Sequence, residues 1–308
     1  MIEQLPVLQV VFPLFSALFC LLIRNKMVSR VFSIVVSWGC LAIALILLQI
    51  VQETGIISYH LGGWFPPLGI EYRIDLLNAY VLIIVTMISA VVLPFGFGHW
   101  GLSIPEGREN LFYCAFLLCI SGLLGITITG DVFNMFVFLE ITSLSSYALI
   151  AMGRSRRALR AAFAYLIMGT VGGTFILIGI GMIYLETGTL NMVDIANRLV
   201  LVLESRTVLV AFAFLTVGVG IKLAVFPLHQ WLPNAYCYAP ATVSAFLAAT
   251  ATKVSYYVLV RVIFTLFGAA YIFETLRFHI LLIPLSLLAM FVGSVVAIYQ
   301  TNIKRLLA

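Results

Sequence analysis

The chain has 308 residues, 63% of them hydrophobic and 9% charged, with a net charge of +5 and a mean hydropathy of +1.15. No soluble domain can hide that much apolar surface, so the composition describes an all-α polytopic membrane protein. The positive balance gives no ground for a nucleic-acid partner, because the 17 Lys and Arg are spread along the chain and follow the logic of membrane topology.

The N-terminal stretch MIEQLPVLQVVFPLFSALFCLLIRNK lacks a basic leader, and its positive charges follow the apolar run. It therefore reads as an uncleaved first span with the N-terminus outside. At ~20 residues per crossing, apolar windows predict nine spans at about 6–23, 31–52, 76–98, 111–129, 131–152, 160–185, 207–226, 241–267 and 279–300.

Segments after odd-numbered spans hold Arg24, Lys26, Arg30, Arg108, Arg154, Arg156, Arg157, Arg160, Lys304 and Arg305, whereas those after even-numbered spans hold Arg73, Arg198, Arg206 and Arg277. This asymmetry predicts cytoplasmic exits for the odd spans, with GRSRRALR (153–160) as the strongest anchor. The outer stretch 53–75, rich in Gly, Pro and aromatics, predicts a short hairpin. Residues 186–206 predict a short amphipathic piece at the interface. Cys20, Cys40, Cys114, Cys119 and Cys237 are odd in number and show no C-x-x-C spacing, so they read as core packing, with neither a disulfide framework nor a metal site.

Few charges remain at bilayer depth: Lys222, Lys253 and Arg261 among the basic residues, and Glu140 among the acidic ones, with Asp131 at a helix start. A charge there costs at least ~2.5–3.5 kcal/mol even on the lenient insertion scales, so it is seldom there by accident. Glu140 follows Asp131 by nine residues, about 13 Å along a helix and hence near mid-membrane. One carboxylate and two ammonium groups on three helices fit a proton relay, and the alternative is a static ion pair between Glu140 and one lysine. Arg261, near the outer end of span eight, reads as a structural charge that snorkels to headgroups or caps carbonyls. Asp131 reads as a helix cap.

Pro227 lacks an amide donor and clashes with the carbonyl of Leu223, so span seven is predicted to break one residue past Lys222. Pro233 is predicted to repeat the break, so that 227–236 leave the regular span. Unwound backbone at membrane depth lines a cavity or is buried in protein, and broken helices that carry a charge recur in secondary transporters. Burial lowers a lysine's proton affinity and a neighbouring carboxylate raises it. Movement of Glu140 towards or away from Lys222 can thus hold or release a proton towards Lys253. The His229 imidazole either bridges the path or satisfies the broken backbone.

The stretches LLGITITGDVFNMFVFLEITSLSSYALIA (123–151), IKLAVFPLHQWLPNAYCYAPATVSAFLAATATKVSYYVLVR (221–261) and TNIKRLLA (301–308) carry a family resemblance. The chain resembles the antiporter-like membrane subunits shared by Mrp-type Na+/H+ antiporters, respiratory complex I and energy-converting membrane hydrogenases. The GDVFNMFVFLE wording is most similar to the D-type subunit of the Mrp antiporter and its counterparts in archaeal-type hydrogenase complexes. The resemblance implies that Glu140 is the family's essential glutamate of the fifth helix, Lys222 the lysine of the broken seventh, Lys253 the eighth-helix lysine and His229 the histidine after the break. Ser255 stands where a glycine is usual.

The family fold has about fourteen helices, with two five-helix units related by inverted symmetry. In those terms residues 1–110 form an N-terminal three-helix segment, 111–267 a proton-translocating unit and 268–308 the start of a second, incomplete unit. The chain stops at Ala308, where a tenth helix would begin, and is expected to be either a fragment or a reduced subunit that a partner completes. The function implied is a proton-translocating subunit of a multisubunit Na+/H+ antiporter in a prokaryotic cytoplasmic membrane. H+, Na+, the lipid bilayer and other membrane subunits are its partners, with no cofactor and no catalytic residue of its own. The alternatives are an ion-pumping subunit of a redox-driven complex, with its redox centres on other subunits, and a passive membrane scaffold.

Overall fold

The computed structural model describes residues 2–23, 25–95 and 107–308. Arg24 and the predicted end of span three at 98 lie outside the described residues. In chain order the elements are α1 (Leu5–Leu22), α2 (Lys26–Thr54), β1 (Ile57–His60), β2 (Glu71–Ile74), α3 (Leu76–Phe95), α4 (Glu109–Ile128), α5 (Val132–Ala151) and α6 (Arg156–Thr187). They continue as α7 (Met192–Leu199), α8 (Arg206–Leu223), α9 (Leu232–Tyr238), α10 (Ala241–Val260), α11 (His279–Ile298) and α12 (Ile303–Leu307). The α10 rod extends as a π-helix over Arg261–Phe267.

Among the described residues nine helices are long and apolar enough to cross a membrane. Each coincides with a predicted span to within a few residues, because ~20 apolar residues in sequence leave the backbone no other way to satisfy itself in lipid. Side-chain caps fix several starts: Asn25 accepts from the Met27 amide, Ser155 from Ala158 and Ser205 from Thr207. Gly188, left-handed at φ 69°, ends α6.

Helix α4 runs through the middle of the bundle, buried along nearly its whole length. Its neighbours include α1, α3, α5 and α10. Polar side chains tie it in: Ser121 donates to the Val10 carbonyl at 2.9 Å, and Cys119 Sγ meets Ser146 Oγ at 3.4 Å. Glycines bring α6 and α8 into backbone contact, since a Cβ on Gly218 would lie 2.7 Å from the Gly172 carbonyl oxygen. Between membrane helices, with no water to expel, such close van der Waals packing supplies the association. Helix α11 has no buried residue.

The predicted hairpin is present: β1 and β2 pair antiparallel with Ile57 opposite Ile74. The Gly130 amide donates to Glu71 O at 2.8 Å, the Val132 amide to Leu190 O at 2.9 Å and the Met192 amide to Gly130 O at 2.8 Å. The hairpin, the α4–α5 junction and the start of α7 thus form one hydrogen-bonded platform that fixes where α5 begins. Helix α7 buries Met192, Ile195 and Leu199 at helical spacing and carries the Asp194–Arg198 pair, half-buried at Asp194 and exposed at Arg198, the amphipathic piece anticipated for 186–206.

Candidate functional site at the broken helix

The seventh span ends earlier than its apolar run. Helix α8 stops at Leu223, and Ala224 takes a left-handed conformation (φ 61°, ψ 44°). The Ala224 amide then donates to Ile221 O at 3.2 Å and the Val225 amide to Gly220 O at 2.9 Å, which closes the helix end. A continued helix would drive the Pro227 ring into the Leu223 carbonyl. Trp231 Nε1 turns back to the Ile221 carbonyl at 3.0 Å, so the unwound segment satisfies part of the terminus it created.

Pro233 corrects the reading of two breakers. It lies in the first turn of α9, where the missing amide would have no intrahelical partner, so it starts a helix instead of breaking one.

Lys222, one residue before the end of α8, is buried. Its Nζ donates to Glu140 Oε1 at 3.1 Å and to Ser143 Oγ at 2.7 Å. Glu140 and Ser143 are three residues apart on α5 and so share a face. Opposite them α6 has no side chain: a Cβ on Gly173 would fall 2.3 Å from Glu140 Oε1. The lysine is therefore held by two groups of α5 across a notch in α6. Beside it lies a cavity of about 20 Å³ lined by residues including Thr142, Ser143, Tyr165, Lys222, Ala251 and Ser255. That is space for about one water molecule. An aromatic column flanks the site, with Tyr147 edge-on to Tyr165 (centroids 4.6 Å) and Tyr165 stacked on Trp231 (3.9 Å).

The other expected members stand apart. Lys253 is exposed on α10, and its Nζ donates to Ala248 O at 2.5 Å and to Thr252 Oγ1 at 3.3 Å on its own helix. The buried stripe of α10 is Val243, Phe246, Leu247, Thr250, Val254 and Tyr257, and residue 253 falls off it. Ser255 is the α10 hydroxyl that reaches the cavity. His229 stacks on Phe226 (5.5 Å), and its buried Nδ1 makes no hydrogen bond among the described residues.

Arg261 does not reach out to headgroups or helix carbonyls. It pairs with Asp75 Oδ2 at 2.6 Å, donates through Nε to Tyr257 Oη at 2.9 Å and also bonds Asn78 Oδ1. Asn78 and Tyr257 in turn both donate to the Thr127 carbonyl. The cluster ties the start of α3 and the end of α4 to α10. Asp131 accepts from the Asn134 amide at 2.7 Å as the N-cap of α5.

The sequence reading missed Ser143, Asp75 and the α6 glycines. Ser143 was recoverable from its i+3 spacing to Glu140. Nothing local marks Asp75, whose partner lies 186 residues away. No group of three or more His, Cys, Asp or Glu side chains is arranged to hold a metal ion among the described residues.

Comparison with known proteins shows the family of the chain. The N-type subunit of NADH-quinone oxidoreductase from Desulforudis audaxviator (strain MP104C) is 40% identical, over 100% of this chain and 61% of that protein. The D-type subunit of the Na(+)/H(+) antiporter from Bacillus subtilis (strain 168) is 34% identical, over 97% of this chain and 60% of the relative. The chain thus spans about three fifths of the length of the curated relatives it matches. Among solved structures, a chain of the membrane-bound sulfane sulfur reductase, an archaeal respiratory membrane complex, superposes with a TM-score of 0.89 at 31% identity, covering 99% of this chain and 61% of that one. The model of the NADH:quinone oxidoreductase/Mrp antiporter transmembrane family matches residues 129–308, which hold Glu140, Lys222 and the helix break that follows Lys222, and the chain belongs to that family.

Proposed function

We propose that the chain carries the proton-translocating unit of an antiporter-like subunit, in which Glu140 and Lys222 exchange a proton at the helix break. The carrying observation is the buried Lys222 ammonium, held by Glu140 and Ser143 one residue from the end of α8. A carboxylate that approaches or withdraws from this ammonium changes its hold on the proton. The water-sized cavity lies on the route from Lys222 towards α10, the helix of Lys253. In this reading Lys253 receives the proton on a face that further protein or solvent covers, and His229 serves the segment beyond the break. Residues 111–267 then form the translocating unit.

The basic loops would face the cytoplasm and the N-terminus the outside of a prokaryotic cytoplasmic membrane. Na+ as the exchanged cation and other membrane subunits as partners follow the relative named as a Na(+)/H(+) antiporter subunit. The test is proton uptake by membrane vesicles holding the intact complex, with assembly followed on native gels. Glu140→Gln and Lys222→Arg are expected to abolish uptake while assembly persists, since a guanidinium keeps its proton. Uptake retained in both variants would reject the relay.

A second reading couples the same path to a redox module on other subunits. It is favoured by the 40% identity to a NADH-quinone oxidoreductase subunit and by the likeness to a respiratory complex. Proton movement that depends on an electron donor and not on Na+ selects this reading.

A further inference from the structure

Lys222 carries three N–H donors, and two of them have acceptors among the described residues, Glu140 Oε1 at 3.1 Å and Ser143 Oγ at 2.7 Å. The third has none there, although the residue is only 5% exposed. A buried charged donor left unpaired is costly. Lys222 lines the cavity of about 20 Å³ that also meets Ser143 on α5 and Ser255 on α10. That volume suits one water and nothing larger.

The serine and threonine hydroxyls around the cavity are buried, and each already has its proton engaged. Thr142 donates to Phe138 O at 2.9 Å, Ser143 to Leu139 O at 2.7 Å and Ser255 to Ala251 O at 3.0 Å. Each acceptor is the carbonyl one turn back on the same helix. What these residues can still offer is oxygen lone pairs. The walls therefore combine one unpaired donor, from α8, with hydroxyl acceptors from α5 and α10. A molecule that accepts once and donates twice matches this set. A water does so with the three hydrogen bonds usual for a buried water.

We propose that the cavity is a hydration site: one ordered water accepts from the third Lys222 N–H and donates to Ser255 Oγ and to a hydroxyl of α5. Ser255 is thereby a positioning residue for that water. Its own proton, fixed on Ala251 O, keeps its lone pairs turned to the water and sets the water's orientation. This rests on the relay reading of Lys222 and names the group that meets the lysine's proton on the side of α10.

The test uses the intact complex in membrane vesicles. Ser255→Ala keeps the Cβ and removes the acceptor. It is expected to lower the proton-transport rate about fivefold, the scale of one lost neutral hydrogen bond, with assembly unchanged on native gels. Ser255→Gly removes the Cβ as well and frees about the volume of a second water, ~30 Å³. That water takes the place of the hydroxyl, so the glycine variant is expected to transport faster than the alanine variant. A packing role gives the opposite order, because glycine leaves the larger gap. A wild-type rate in Ser255→Ala, or a glycine variant no faster than the alanine one, with Glu140→Gln inactive, overturns the Ser255 assignment alone. An active Glu140→Gln overturns the relay beneath it. A high-resolution density map of the unmutated complex tests the hydration site whichever way the relay falls. Density for a water within hydrogen-bond reach of Lys222 Nζ and Ser255 Oγ supports the proposal, and none there in a map that resolves other buried waters rejects it.

Discussion

Lys222 and Glu140 stand 82 residues apart in sequence and meet at 3.1 Å, with the lysine side chain 3% and the glutamate side chain 25% exposed. The inequality matters. The lysine has exchanged water for two α5 acceptors, whereas the carboxylate keeps an open side from which it can be approached. Removing one member of such a pair leaves the other charged and uncompensated. Lys222→Met alone is therefore expected to destabilise the bundle by about 3 kcal/mol. The double variant Lys222→Met with Glu140→Gln should recover most of that loss. Thermal unfolding in detergent reads both, and a double variant no more stable than the single one would show that the pair's stability lies elsewhere.

The Asp75–Arg261 pair holds three helices with a planar fork that a lysine cannot reproduce. One guanidinium serves Asp75, Asn78 and Tyr257 together. Arg261→Lys keeps the charge and loses the fork, and is expected to lower stability by about 1–2 kcal/mol. Proton transport per assembled complex should be unchanged, because no part of the cluster touches Lys222 or Glu140. A parallel loss of transport would place Arg261 in the ion path instead.

Ala224 carries the turn that ends α8 in a conformation glycine adopts without strain, φ 61° and ψ 44°. A non-glycine residue there costs about 1–2 kcal/mol. Ala224→Gly is expected to raise stability by about 1 kcal/mol, seen as a higher unfolding temperature. If the break also moves during transport, the same variant should alter the transport rate, since glycine widens the choice of conformations at that joint.

Depth was legible in the sequence and facing was not. Hydropathy located the spans, because apolar length is a local property. Pro227 located the break for the same reason. The charges at depth were found by subtraction, but position along a span does not say which way a side chain points. Lys253 looks equivalent to Lys222 by depth, yet it lies off the buried stripe of α10 while Lys222 lies under α5. Spans of uniform apolarity hide that stripe, since lipid-facing and protein-facing residues are both hydrophobic. Pro233 was misread because its effect depends on where the next helix starts. Asp75 was passed over as a loop residue because its partner is supplied by tertiary packing alone.

The α6–α8 contact gives a paired expectation in which the same substitution has opposite signs. At Gly218 a new Cβ would meet backbone atoms, the Gly172 oxygen at 2.7 Å and the Ile176 nitrogen at 2.9 Å. Backbone cannot swing aside, so the helices must separate. Gly218→Ala is expected to cost about 1–3 kcal/mol and, by shifting α8, to lengthen the reach from Lys222 to Glu140. Gly181, on the same α6, has nothing within 4 Å of a new Cβ. There alanine only restricts the unfolded chain and favours the helix, so Gly181→Ala should gain about 0.5–1 kcal/mol. Unfolding temperatures of the two variants should move in opposite directions. A drop in both would mean that the outer face of α6 at Gly181 is packed against protein, and that another helix covers it.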